Sequence, residues 1–511
     1  MKDTELNPTP TSDSAAVATG TRADAGVGTS AGVGVGTGTG AHTGAGVAAG
    51  GRLTLGQGTA MYVGAVLGTG VIALPALAAR AAGPASLLAW ALLVVVSVPL
   101  AGTFAALGAR HPDAGGVSTY ARLAFGPRAA TVVGWCFYFA VPPGAAAAAL
   151  FGGSYVAEAA GGGRTTVLLT AALLMTVVTG ANAVGLQASG RLQFALAGLL
   201  VTLLLVSVAF SLPHAHTGNL RPFAPHGWTA VGPAAALLVW SFAGWEAITH
   251  LAAEFRRPAR DLPRATGAAV AVVGVLYLLV AFAIITVLGP GAADSAAPLG
   301  DLMARGLGGG ARWLAAGAAL LLTLGAMNAY YAGAAKLGSA LGRDGGLPAW
   351  LGRGSVAGEV PRRSLAANSA LSFLALAVVS VTGLGPRPLV LLTTGSFVAV
   401  YAIGVAAALR LLPRRSAGWC AAAVALAAVA ALLLMSGRYL LWPLVVTGAA
   451  LLYLRLRRPA GSCPEPGTDG TASGFTRVTH RFPMIAGRVR RRERGGAAGA
   501  AGQADEMRGY G

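Results

Sequence analysis

Charge is scarce in this chain: 11% of its residues are Asp, Glu, Lys or Arg, while 55% are hydrophobic. With a mean hydropathy of +0.65 over 511 residues, there is too little polar surface to clothe a soluble globule of this size, and the chain belongs in a bilayer. Cysteine is almost missing. Cys136, Cys420 and Cys463 are widely spaced and spell out neither a disulfide framework nor a metal-ligand set. Lysine is confined to Lys2 and Lys336 while Arg, Gly and Ala abound, a bias expected of GC-rich coding that carries no functional weight. No Walker A sequence, nucleophile elbow, HExxH or paired-cysteine zinc pattern occurs, so an ATP-driven pump or a membrane hydrolase has no machinery here.

What the chain has is apolar runs of the roughly 20 residues that cross a hydrocarbon core as helix. They predict an all-α integral membrane protein of about 12 transmembrane helices, over residues 57–79, 85–109, 130–155, 165–185, 190–211, 231–254, 266–288, 311–337, 366–384, 389–410, 418–436 and 438–456. No positive–apolar–small cleavage pattern opens the chain, so the first run reads as a membrane helix. Residues 1–52 form a Gly/Ala/Thr-rich tail and residues 458–511 a basic one, both expected to be disordered, flanking a transmembrane domain over 53–457.

Counting only Lys and Arg, the loops on one side of the predicted bundle hold 16, from Arg110 to Arg415, and the opposite loops 7, from Arg80 to Arg438. That asymmetry puts both termini in the cytoplasm. The net charge of +19 and the run 488-RVRRRER-494 are explained by anionic headgroups, and no nucleic-acid motif accompanies them. His214 and His216 lie on a predicted outer loop without nearby cysteine, which reads as a surface loop and not a metal site.

Two spans are interrupted by glycine: 60-AMYVGAVLGTGVIALPALAA-79 and 234-AAALLVWSFAGWEAITHLAAEF-255. The run 68-GTGVIA-73 satisfies the dinucleotide fingerprint, but inside an apolar span and followed by Pro75 it lacks the strand and helix that fingerprint needs. In lipid, unwound backbone survives only where it lines an enclosed cavity or meets a ligand. Unwinding at Gly68, Thr69 and Gly70 exposes the N-terminus of a second half-helix, suited to a carboxylate, while carbonyls near Val66 and Leu67 suit an ammonium group. A second break at Phe242, Ala243 and Gly244 presents carbonyls to the same ammonium, leaving Trp240, Phe242 and Trp245 to shape a side-chain pocket or close a gate. An α-amino acid carries both charges on one carbon. Each glycine cluster taken alone also fits close helix packing, as in the GxxxG of Gly64 and Gly68; their matching positions in two halves favour a site.

Glu246 lies within the second interrupted span. A charged carboxylate is costly there, so a proton can come and go during a transport cycle; the same group is equally suited to hydrogen-bond a neighbouring helix and hold the break open. His250 and Glu254 follow on the same helical face, near the cytoplasmic boundary, in a solvated or gate-stabilising role.

The segment 240-WSFAGWEAITHLAAEFRRPARDLPRA-265 closely resembles the sixth helix and following loop of amino-acid permeases of the amino acid–polyamine–organocation (APC) superfamily. The runs 68-GTGVIALP-75, 111-HPDAGGVSTYARLAFG-126 and 336-KLGSALGRDGGLP-348 resemble three further segments of that family, in order. Over roughly residues 53–457 the pattern is most similar to the bacterial branch that exports methionine and branched-chain amino acids.

The resemblance implies a five-plus-five inverted repeat with helices one and six discontinuous and the site at mid-depth between them. It implies a secondary transporter, not an enzyme, with no cofactor beyond a proton or sodium gradient. Gly68, Thr69 and Gly70 would receive the substrate carboxylate, Phe242, Ala243 and Gly244 would face the ammonium, Trp240 would line the pocket, and Glu246 with Trp245 would serve coupling and gating.

Proton antiport is the expected mechanism. The span Leu192–Ser211 lacks the lysine that some proton-coupled relatives carry, and Thr323 and Asn328 are too ordinary to define a sodium site. Import by proton or sodium symport, or amino acid/polyamine exchange, is the alternative. A channel is disfavoured by broken helices in two halves of one long chain, and a membrane transferase by acids (Asp113, Asp261, Asp344) that sit in permease-like loops. The expected partners are an amino acid and the bilayer of a bacterial inner membrane, without nucleic acid, the protein being a monomer or homodimer.

Overall fold

The computed structural model describes residues 54–112, 116–185, 190–246, 252, 255–353, 360–435 and 437–457. The two terminal tails, Asp113, His250 and Glu254 lie outside the described residues. Every regular element among those described is helical, and all fall within Met1–Arg457, the larger of two units into which the chain divides.

The first predicted span is two helices, α1 (Leu55–Leu67) and α2 (Gly70–Ala82). α1 opens on a capping box: the Thr54 hydroxyl accepts from the Gln57 amide at 3.4 Å, and the Gln57 side chain accepts from the Thr54 amide at 3.1 Å. It closes on Gly68, whose φ of 30° and ψ of −152° suit a residue without Cβ. There follow α3 (Ser86–Arg110), α4 (Gly116–Phe125), α5 (Pro127–Ala160), α6 (Arg164–Ala183) and α7 (Gly190–Ser211).

The sixth span begins as α8 (Val231–Leu238), tightens to a 3-10 turn over Val239–Phe242 and leaves the helix at Ala243, whose backbone is extended. Beyond it run α9 (Pro258–Leu288), α10 (Pro298–Leu307), α11 (Ala311–Arg343), α12 (Arg362–Thr382), α13 (Arg387–Leu411), α14 (Ala417–Met435) and α15 (Leu441–Leu456).

Ten continuous helical runs among the described residues are long and apolar enough to cross a membrane. One of them, Gly70–Arg110, joins the second half of the first predicted span to the whole second span, and the sixth, broken span stands outside the ten.

α5 is the axle of the bundle. It packs against α4, α6, α11, α12, α13 and α15, and its membrane stretch is 83% buried, against 17% for the last helix. Small residues permit this: a methyl at Gly153 would collide with the Val167 backbone of α6. Pro142 and Pro143 interrupt α5, and Pro142 lacks the N–H that would bond the Tyr138 carbonyl four residues back. The Asn368 amide of α12 donates to that carbonyl at 3.3 Å, so the group is satisfied from a neighbouring helix, as a lipid-enclosed backbone requires.

Candidate transport site

The two interrupted spans meet. A methyl added at Gly70 would stand 2.8 Å from the Ser241 Cα, and one at Gly244 only 3.1 Å from the Ala65 carbonyl oxygen. Gly244 has φ of 125°, a conformation L side chains rarely take. Glycine at these positions therefore sets the separation of two backbones as well as freeing their dihedrals.

Tyr277 of α9 pins the junction. Its hydroxyl lies 2.8 Å from the Val66 carbonyl, 3.4 Å from that of Leu67 and 2.7 Å from that of Ser241. A tyrosine has one hydroxyl proton and bonds one of the three at a time. The end of α1 and the break in the sixth span thus hold a surplus of acceptors, the arrangement an ammonium group satisfies. The sequence points to Val66 and Leu67; it does not single out Tyr277, which lies outside both interrupted spans, or Ser241, which sits within the second one.

Beside this acceptor patch stands the start of α2. Gly70, Val71 and Ile72 are buried, Thr69 makes no side-chain cap bond, and the first turn carries no acid. A helix start leaves N–H groups without intrahelical partners and carries the positive end of the dipole, a seat for an anion. α2 is held by Tyr155 of α5, whose hydroxyl donates to the Ile72 carbonyl at 2.5 Å and accepts from the Leu299 amide at 3.1 Å.

The side chains expected at the site fall into three places. Phe242 packs in an aromatic trio with Trp90 and Tyr277, ring centroids 6.1 and 5.1 Å away. Trp240, half-buried, meets Phe151 of α5 edge-on at 6.4 Å. Trp245 is fully buried: its ring lies 5.6 Å from that of Tyr62 and its indole donates to Ser97 of α3 at 3.2 Å, while the Tyr62 hydroxyl donates to the Trp245 carbonyl at 3.3 Å. The backbone of Trp245 is thereby tied to α1 and its ring to α3.

Glu246 is buried beside the break. One carboxylate oxygen accepts from the Gly244 amide at 3.0 Å and from the Tyr401 hydroxyl of α13 at 2.6 Å. The first bond closes a loop on the unwound backbone; the second ties it across the bundle to a helix four spans later. Nothing in the sequence marked Tyr401, because its partner lies 155 residues away.

Residues 53–478 match the sequence profile of the family described as amino acid permease. The chain is 35% identical over 388 residues to the uncharacterized amino acid permease YecA of Bacillus subtilis, an alignment covering 76% of this chain and 92% of that relative. It is 32% identical over 276 residues to the L-methionine/branched-chain amino acid exporter YjeH of Escherichia coli, covering 52% of this chain and 64% of that protein. A probable GABA permease of Pseudomonas aeruginosa is 25% identical over 222 residues, 41% of this chain and 47% of its own length. These relatives are named as transport proteins and not as enzymes. A profile that runs through both interrupted spans, with a relative matched over nearly its whole length, establishes that the chain belongs to the amino acid permease family.

Proposed function

We propose that this permease carries neutral, hydrophobic L-amino acids such as methionine, leucine, isoleucine or valine, exporting them by proton antiport through alternating access. The observation that carries the reading is the pairing of a buried helix start without a side-chain cap at Gly70 with the acceptor-rich cluster of Val66, Leu67 and Ser241 carbonyls around Tyr277. One end of that pair suits a carboxylate and the other an ammonium, with backbone supplying most of both.

The apolar and aromatic surroundings, Phe242 and Trp240 among them, favour an uncharged side chain. The name of the Escherichia coli relative supports the same substrate class and the outward direction. Gly68, Thr69, Gly70, Trp240, Phe242, Ala243 and Gly244 form the binding residues in this reading, and Trp245 braces the gate. Glu246 is the coupling residue: it takes up a proton when it leaves Tyr401, so that protonation and movement of the break are one event.

The bundle is read as twelve crossings in a five-plus-five inverted repeat, the two interrupted spans being the first helix of each repeat. Both termini are assigned to the cytoplasm of a bacterial inner membrane. The ion pairs Arg80–Asp294 and Arg312–Asp301, at 3.6 and 3.1 Å, lie on the side with few arginines, where paired charge adds little to the bias.

The test is flux of labelled amino acids by the full-length protein in proteoliposomes, with proton and sodium gradients collapsed in turn. Saturable flux of branched-chain amino acids or methionine, lost with the proton gradient alone, is the expected result. Flux that follows sodium alone would replace the proton with sodium as the coupling ion, and no flux or binding across the amino-acid panel would overturn the site.

A further inference from the structure

Away from the transport site, an open groove of about 420 Å³ runs between α5, α13 and α15, lined by Arg128, Ala129 and Val132 of α5, Ala402 and Ala406 of α13 and Leu451 of α15. Alanines at facing positions leave the space, and apart from Arg128 the wall is apolar. α5 begins at this end of the bundle while α13 and α15 finish there, so its mouth lies on the arginine-rich side.

Cations gather at that mouth. Arg128 is exposed and belongs to the lining. Arg410, one turn beyond Ala406, lies 5.1 Å over the ring of Phe125, itself part of the groove, and donates to the Ala124 carbonyl at 2.9 Å. Arg455 stands one turn beyond Leu451. None of the three belongs to an ion pair among the described residues. An open apolar slot with guanidinium groups at its mouth matches a molecule that is a chain at one end and an anion at the other.

We propose that this groove holds one anionic phospholipid of the cytoplasmic leaflet, an acyl chain against Ala129, Ala402 and Ala406 and its phosphate between Arg128 and Arg410, with Arg455 on the far side. Its wall is also the helix that reaches Glu246: Tyr401 faces the carboxylate and the next residue, Ala402, faces the groove. Lipid in the slot therefore fixes the position of α13 against α5, where Tyr401 meets the transport site.

The experiment incubates the purified full-length protein in mild detergent with phosphatidylglycerol or phosphatidylcholine and counts retained lipid by native mass spectrometry. The wild type is expected to keep one more phosphatidylglycerol than phosphatidylcholine. The R128Q/R410Q protein should bind phosphatidylglycerol about thirtyfold more weakly, about 1 kcal/mol for each arginine near the anionic surface, with phosphatidylcholine unchanged. Ala406→Trp, which fills the groove and leaves every arginine in place, should also lose the extra lipid. Unchanged retention in both proteins overturns the proposal. So does retention in Ala406→Trp alone, which would mean that the arginines attract headgroups without a groove. A change of oligomeric mass in Ala406→Trp with lipid retention intact would make the groove an interface between copies and likewise end it.

Discussion

Gly70→Ala is the most direct probe of the meeting between the two interrupted spans. The added methyl would lie 2.8 Å from the Ser241 Cα and 3.0 Å from its Cβ, where ordinary contact begins at 3.4 Å. The nearest obstacle in the backbone cannot rotate away, so the two breaks must separate by about 0.6 Å, the difference between 3.4 and 2.8 Å.

Overpacking of this kind costs about 1–3 kcal/mol, and replacing glycine by alanine in a helix returns roughly 0.5–1 kcal/mol. The net loss of stability is small, on the order of 1 kcal/mol. Function should suffer more. The carboxylate seat lies on α2 and the acceptor cluster spans both breaks, so a shift of that size mismatches a zwitterion of fixed length. A 1 Å misplacement costs about a hundredfold in positioned chemistry, which scales to roughly tenfold here.

The assay is amino-acid flux in proteoliposomes beside thermal unfolding of the same preparation. Gly180→Ala in α6 serves as control, since nothing stands within 4 Å of its added methyl. A Gly70→Ala protein with wild-type flux and KM would refute the argument that backbone contact at this point defines the site.

Three further outcomes follow from the same geometry. Tyr277→Phe removes the hydroxyl shared among the Val66, Leu67 and Ser241 carbonyls; it should cost about 0.6 kcal/mol of stability, the mean for interhelical hydrogen bonds in membranes, and raise the transport KM several-fold, read by unfolding and by concentration-dependent uptake. Gly244→Ala forces an L residue to φ of 125° against the Ala65 carbonyl and should destabilise the protein by about 1–3 kcal/mol, visible as a lower melting temperature; an unchanged melting point would contradict the assigned backbone. Glu246→Gln keeps an oxygen to accept from Tyr401 and the Gly244 amide but cannot titrate, so flux down an amino-acid gradient should persist while its response to an imposed proton gradient disappears. Coupling unaltered in that protein would leave Glu246 as a brace only.

Composition and run length were enough to place this chain in the membrane, since burying backbone in lipid leaves few options but helices of a fixed minimum length. Glycine punctuation marked where two of those helices break: the first at Gly68, as the spacing predicts, and the sixth from Ala243 onward. Glu246 stood out because a carboxylate in an apolar run is rare whatever surrounds it. These are local properties, readable from neighbours in sequence.

Tertiary structure decided which groups share a site. Tyr277 and Tyr401 are ordinary tyrosines in apolar helices, and their roles rest on carbonyls and a carboxylate that packing brings to them from up to 211 residues away. Trp245 shows the same limit: its neighbours along the chain suggest an aromatic that shapes a pocket or closes a gate, and only packing shows it held between Tyr62 and Ser97. Periodicity fixes which face of a helix is apolar, but where nearly every face is apolar it does not say which helix lies opposite. That choice is made by close approach of small residues and by the need to satisfy each freed carbonyl, and both are settled only when the helices are packed.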